Sequence, residues 1–374
     1  QKTAYEIMPS LVGSEMCIRD RLASKYRIEI PGNGFILSRT KKLKIPKRVL
    51  EKLKRKPTRT ISGVTIVAVM TSPKECPHGI CLYCPKNPDV PQSYSDNEPA
   101  VMRGKSFDFD PCEQTKVRIE QLEAIGHPTD KIELIVMGGT FTARDEKYQK
   151  WFIKRCYDAM NGENSKNLEE AKIKNERASH RCVGLTIETR PDFMKEDEIN
   201  KILDYGATRV ELGVQHPDDK IYEIVKRGHK VEDVVESTRL LKDSGFKICY
   251  HLMPNLPGSN LEKDLKMFKE IFENQNYRPD MLKIYPTLVV KNSELEKMWK
   301  KGEFEPYADE ELIDLLCKIK SIIPKYVRIM RLQRDVPKQE IVVGCKNSNL
   351  REIVQREMTK SCLLYTSDAA DEGL

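Results

Sequence analysis

Six short runs of β-branched and apolar residues punctuate the chain: TIVAVM from Thr65, IELIVM from Ile132, VGLTIE from Val183, RVELGV from Arg209, KICYHLM from Lys247 and MLKIYP from Met281. Each has the length and composition of a buried strand. Between them lie stretches with apolar residues at helical spacing and charged outer faces, such as EQTKVRIEQLEAIG, KEDEINKILDYG, VEDVVESTRLLKDSG and NLEKDLKMFKEIFENQ. Gly126, Gly206 and Gly245 stand where a helix C-terminus calls for left-handed backbone. The polar segment NGENSKNLEEAKIKNERASHR, from Asn161, reads as a mobile insertion. The alternation predicts an α/β fold with a parallel sheet, either doubly wound or a full or partial barrel. Nearly every strand is followed by a chemically loaded turn: CPHGICLYC, GGTF, TRPD, QHPDD, PNLPG, PTLVV. That favours a barrel, whose chemistry gathers at the strand C-terminal ends.

Composition narrows the class. The 374 residues are 39% hydrophobic and 32% charged, and no run approaches the roughly 18 apolar residues that span a bilayer, so no membrane partner is expected. The opening stretch QKTAYEIMPSLVGSEMCIRDR does not read as a signal peptide. Eleven cysteines, an odd number, fit reduced thiols in a cytoplasmic protein better than a disulfide framework. Net charge is +7, yet between Arg39 and Arg59 eleven Lys or Arg oppose one Glu, a local +10 that leaves −3 for the rest. Such a stripe is the footprint of a polyanion-binding surface, with Lys41, Lys42, Lys44, Lys47, Arg48, Lys52, Lys54, Arg55 and Lys56 as candidate RNA contacts. A solvated helix and linker is the alternative.

Cys76, Cys81 and Cys84 follow the first strand in a Cx4CxxC pattern, with Gly79 letting the loop fold tightly. Zinc wants four ligands, and only His78 or a distant residue is available as the fourth. A thioredoxin-like CxxC leaves Cys76 idle. Three thiolates on a four-iron cluster leave one iron open, which suits a catalytic cluster.

These features resemble the radical S-adenosylmethionine (radical SAM) superfamily. Tyr83 matches the aromatic usual before the last cysteine, although the superfamily's commonest spacing is one residue tighter. Gly138 and Gly139 of MGGTF, Glu188 of TIETRPD, and RVELGVQ with Gln215, followed by KRGHKVEDVVESTRLLKDSGF and LMPNLPG, match in order. More closely, RTISGVTIVAVMTSPKECPHGICLYCP, PQSY, RIEQLEAIGHPTDKIELIVMGGTFTARDEKYQKWFIKRCYDAMNG, LTIETRPD, LKIYPTLVV and RLQRDVP resemble the Elongator catalytic-subunit family in its archaeal form, over roughly residues 22 to 360.

The resemblance implies a partial (β/α)6 TIM-like barrel of the radical SAM type. It implies a [4Fe–4S] cluster on Cys76, Cys81 and Cys84, and S-adenosyl-L-methionine held by Gly138, Gly139, Thr140, Glu188, Gln215 and Lys283. Acetyl-CoA is the implied co-substrate, with Lys131 against it, and the tRNA anticodon stem-loop the partner. The implied reaction uses a 5′-deoxyadenosyl radical to build a carboxymethyl group on C5 of the wobble uridine. A homodimer or an Elongator-like assembly is the candidate oligomer. The implied layout is a basic RNA-binding segment over 22–64, a radical SAM domain over 65–325 and a linker beginning over 326–360.

Two departures stand out. Pro85, Lys86 and Asn87 replace the glycine pair the family usually carries after the third cysteine. Family members also continue into a cysteine-bearing zinc linker and an acetyltransferase-like domain, before which this chain is expected to stop. Residues 1–21 and 361–374 resemble translated sequencing-adapter read-through and are expected to be non-native. The rival readings are a radical SAM enzyme acting on a small molecule and a catalytically incomplete tRNA-binding fragment.

Overall fold

The computed structural model describes residues 23–27, 29, 32–40 and 52–361. The expectations for 1–21 and for 362–374, and the candidate contacts Lys41, Lys42, Lys44, Lys47 and Arg48, lie outside these residues. The chain divides into two compact units, Gln1–Thr65 with Arg118–Thr129, and Ile66–Val117 with Asp130–Leu374.

In the first unit the described residues include a helix at Asn33–Thr40 and a 3-10 turn at Pro57–Thr60. The Thr60 hydroxyl lies 2.9 Å from His127 Nδ1, and the Arg55 amide donates to the Ile125 carbonyl at 3.2 Å. Burial, followed by the charges of Lys54, Arg59 and Arg118, holds His127 below its ordinary pKa. Lys52, Arg55 and Lys56 are exposed and Lys54 is half-buried.

The second unit is built on seven strands in the order β1 (Thr65–Met70), β2 (Lys131–Met137), β3 (Arg181–Thr189), β4 (Arg209–Gln215), β5 (Lys247–Leu252), β6 (Met281–Ile284) and β8 (Arg328–Arg331). Every pair from β2 to β8 is parallel. The two end strands do not close on one another, so the sheet is a partial barrel. A small antiparallel ribbon, β7 (Val289–Val290) with β9 (Ile341–Val343), lies apart from it. The six strands read from the sequence all form. The seventh, β8, pairs with β6 and comes from residues 326–360, which the sequence suggested as the start of a linker.

All seven positions of β4 are buried, yet they alternate in character: Val210, Leu212 and Val214 on one face, Arg209, Glu211 and Gln215 on the other. Successive side chains of a strand point to opposite faces, and register carries each face across the sheet. Glu188 sits beside Glu211, Glu211 beside Cys249, and His251 beside Lys283, so the polar residues share the inner face of the barrel. The apolar face packs against the helices.

The polar segment after Asn161 is ordered by side-chain hydrogen bonds rather than mobile. It forms a helix over Leu168–Asn175 whose Asn167 cap accepts from the Glu170 amide. Buried Asn175 bonds to Asn161 Oδ1 at 2.8 Å and accepts from the Cys182 amide at 2.7 Å, pinning the start of β3. Gly126, Gly206 and Gly245 adopt positive φ as the pattern required.

Candidate functional site

The cysteine loop follows β1 and lies at the C-terminal end of the sheet. Cys81 and Cys84 are buried and Cys76 is half-buried. Cys76 Sγ is 3.9 Å from the Thr140 hydroxyl, which follows β2. Cys81 Sγ is 3.1 Å from His78 Nε2 and 3.7 Å from Arg227 Nη1, and Cys84 Sγ is 3.2 Å from the Ser93 hydroxyl. A hydrogen bond from Cys84 holds the Cys81 thiol well below its usual range against the opposing effect of burial, with His78 and Arg227 adding to the lowering. That same contact, then burial, pushes Cys84 up; burial pushes Cys76 up.

No three of Cys76, His78, Cys81 and Cys84 bring ligand atoms within 4.8 Å of one another; among the described residues only Glu211, Cys249 and His251 form such a group. A single tetrahedral ion, with Zn–S near ~2.3 Å, needs that convergence. A four-iron cluster puts each thiolate on a different iron and does not need that convergence. Three thiols from one loop, with no three-ligand group among them in the described residues, suit a cluster better than a lone zinc.

Two glycines make the loop's surroundings possible. A Cβ on Gly138, at φ 129°, would lie 2.0 Å from Thr71 Oγ1; one on Gly228, at φ 73°, would lie 2.6 Å from His78 Cβ. Neither position admits a side chain without displacing the loop. Behind the loop, Arg227 is buried and donates to the Gly213 carbonyl at 2.5 Å, and Arg190 donates to the Arg227 carbonyl at 2.9 Å and meets His78 Nδ1. Gln215 ends β4 at φ 67°, an uncommon conformation for a residue with a side chain, and its buried Oε1 has no hydrogen-bond partner. A buried orphan acceptor at a strand end is a place prepared for a donor from a ligand.

Below the mouth, the inner face carries a charged network. Glu211 is fully buried. It bonds Lys283, accepts from His251 Nε2 at 2.9 Å and lies 3.6 Å from Arg209. Lys283 also reaches Glu188 at 3.2 Å, and the Tyr94 hydroxyl donates to Glu188 Oε2 at 2.8 Å. Burial alone would raise the Glu211 carboxyl, but Lys283, His251 and Arg209 pull it well below the carboxylate range. Burial opposes the charge on Lys283, and Glu211 more than restores it. Strand register and the His251 hydrogen bond bring Glu211, Cys249 and His251 together.

The structure thus gathers Cys76, Cys81, Cys84, Gly138, Gly139, Thr140, Glu188, Gln215 and Lys283 at one end of the sheet or just inside it. Lys131 is not among them. It is exposed as the first residue of β2, at the opposite end of that strand from Gly138. Four contributors escaped the sequence reading: Arg227, Tyr94, Arg190 and Glu211. Each lay inside a quoted motif, KRGH, PQSY, TRPD or RVELGV, but only the fold shows which side chain turns inward.

Residues 70–271 match the model of the radical SAM superfamily, and residues 279–360 match that of the Radical_SAM C-terminal domain. A tRNA uridine(34) acetyltransferase of Methanocaldococcus jannaschii is 59% identical over 346 residues, covering 90% of this chain and 63% of that protein. One from Dehalococcoides mccartyi is 51% identical over 309 residues, covering 82% and 67%. This chain belongs to the radical SAM superfamily, within the tRNA uridine(34) acetyltransferase family. The family extends to Elongator complex protein 3 of Homo sapiens, 44% identical over 322 residues, covering 83% of this chain and 59% of that one. The solved structure of the archaeal Methanocaldococcus infernus Elp3 with an N-terminal deletion superposes with a TM-score of 0.73 at 54% identity, covering 82% of this chain and 65% of that one. The chain spans a little under two thirds of the Methanocaldococcus relatives' length. Membership of the superfamily implies a [4Fe–4S] cluster and S-adenosylmethionine. Among the described residues no helix is long and apolar enough to cross a membrane.

Proposed function

We propose that this chain is the radical-forming part of a tRNA uridine(34) acetyltransferase, with Cys76, Cys81 and Cys84 holding a [4Fe–4S] cluster. The observation that carries the reading is that one loop brings Cys76, Cys81 and Cys84 together at the strand ends, with Arg227 and His78 against the Cys81 sulfur. Bound there together, the cluster and S-adenosylmethionine would supply a deoxyadenosyl radical able to activate the acetyl group of acetyl-CoA for addition to C5 of the wobble uridine.

The chain's own residues have separate tasks. Gly138 and Gly139 let a ligand approach bare backbone, and Gln215 Oε1 offers an acceptor in a dry setting. Arg227 places positive charge, and His78 Nε2 a hydrogen-bond partner, beside the Cys81 sulfur, stabilising its thiolate. Glu188, oriented by Tyr94 and Lys283, offers carboxylate oxygens at the end of β3. The exposed Lys52, Arg55 and Lys56 are suited to contact phosphates without reading sequence. Lys131, far along β2 from this mouth, would meet acetyl-CoA only outside the strand-end pocket.

The test is anaerobic reconstitution with iron and sulfide. We expect about four irons per chain, a cluster absorbance, and reductive cleavage of S-adenosylmethionine. Changing any of Cys76, Cys81 or Cys84 to Ala should abolish both iron uptake and cleavage. Stoichiometric zinc with no iron uptake would overturn the reading.

A further inference from the structure

Arg190 stands in the TRPD turn after β3, and its guanidinium is held by bonds to three other residues. The residue is only 3% exposed. Nε and Nη2 donate to the two carboxylate oxygens of Asp192 at 2.9 and 2.8 Å, a bidentate pairing that sets the plane of the fork. Nη1 donates to the Arg227 carbonyl at 2.9 Å and also meets His78 Nδ1. The Asp192 and Arg227 bonds therefore orient the group without help from His78. The half-buried imidazole packs in turn on bare backbone, since a Cβ on Gly228 would lie 3.1 Å from His78 Cδ2.

A guanidinium has donors and no acceptor, so the Arg190 contact requires His78 Nδ1 to accept. A ring that accepts at one nitrogen carries its proton on the other: a proton at Nδ1 would face the Arg190 N–H, and acceptance at both nitrogens would need an imidazolate. The other contact of the ring is with Cys81 Sγ, 3.1 Å from Nε2. Distance alone leaves that contact undirected. Arg190 gives it a direction, an N–H donated to sulfur. A hydrogen bond to an iron-ligating sulfur draws electron density from it, and such bonds help to set the potential of an iron–sulfur cluster. Reduction adds negative charge, so a donor at Cys81 favours the reduced form.

We propose that Arg190 is a positioning residue for the radical-forming site: it fixes the His78 proton on Nε2, aimed at the Cys81 sulfur, and so raises the potential of a cluster held there. The inference rests on the cluster reading and deepens it, because it assigns the tuning of that cluster to a side chain that acts through the ring. Arg227, 3.7 Å from the same sulfur, acts on it directly and independently of His78.

Two measurements test this. The first needs no iron: long-range heteronuclear spectra of the metal-free, anaerobic full chain with isotope-labelled histidine, the His78 ring being assigned from its loss in His78→Gln. The ring proton should lie on Nε2, and a proton on Nδ1 overturns the assignment. The second is the potential of the reconstituted full chain, read by electron paramagnetic resonance at poised potentials and fixed pH. His78→Leu removes the donor and should lower the reduced fraction at a given potential about tenfold, equivalent to about 59 mV for a one-electron couple. His78→Gln, whose amide supplies an N–H in place of Nε2, should stay within about threefold of wild type. Arg190→Met should lower the reduced fraction at least about threefold alone and have no further effect in a His78→Leu background. A direct effect of the Arg190 charge, or of a loosened turn, would persist in that background. Should Arg190→Met fail to fold, Arg190→Lys takes its place, keeping the charge and losing the fork. Equal potentials in wild type and His78→Leu overturn the tuning, and an undiminished Arg190 effect in the double variant overturns the positioning role. Failure of the wild type to take up iron falls on the cluster reading, while the proton position still tests the pairing of Arg190 with His78.

Discussion

Replacing Lys283 with Met tests the charged network inside the barrel more sharply than any other substitution. Met has nearly the length of the Lys stem, so the change removes charge and leaves most of the packing. Lys283 is buried, bonded to Glu211 and 3.2 Å from Glu188. Removing one partner of a buried pair costs about 3–5 kcal/mol, because the other charge stays behind in a poor solvent. Arg209 at 3.6 Å and His251 at 2.9 Å still face Glu211, so the lower end, about 3 kcal/mol, applies. At about 2 °C per kcal/mol for a chain of this size, the melting temperature should fall by about 6 °C. Adding Glu211→Gln should restore much of the loss, since the amide no longer needs a counter-ion. The two changes should couple by at least about 2 kcal/mol in a double-mutant cycle. Anaerobic urea unfolding of the four proteins measures both quantities. A single-mutant cost below about 1 kcal/mol, or additive behaviour in the double mutant, would refute the view that Lys283 neutralises Glu211.

Two further outcomes are expected. Gly138→Ala should destabilise by more than about 2 kcal/mol, because the new methyl would lie 2.0 Å from Thr71 Oγ1 on backbone at positive φ; adding Thr71→Ala should recover part of the loss in a thermal melt, and a single variant melting like wild type would remove the close contact from the model. His216 is held down to about 4 by burial, against the opposing charge of Asp218. Its folded-state pKa is depressed from 6.5, so the stability it confers is complete above about pH 6.5 and disappears as pH falls toward 4, a change of about 3 kcal/mol. His216→Gln should flatten the stability profile across that window in urea titrations; an unchanged slope would show that His216 is not the group responsible.

What the sequence disclosed and what it concealed divide along a physical line. Strands β1 to β6 were legible because burial on the helix-facing side demands an apolar residue at every second position, and that demand survives any choice on the inner face. The three cysteines were legible because a loop can bring neighbours in sequence to one cluster without help from the rest of the fold. Strand β8 was not: RIMR offers two arginines and two apolar residues, too short a pattern to separate from a loop, and its identity rests on pairing with β6. Asn175 escaped for a related reason, since a polar residue buried by hydrogen bonds looks in a sequence like any solvated asparagine. Arg227 lies 146 positions from Cys81, and its role depends on the KRGH turn packing against the cysteine loop through Gly228. Glu211 and Lys283 are further still from being readable, because each would be destabilising on the inner face alone and becomes tolerable only opposite the other. Sequence pattern records what each residue needs from water or from its near neighbours. A buried ion pair instead records an agreement between strands, so the charged interior of this barrel had to await the register that joins them.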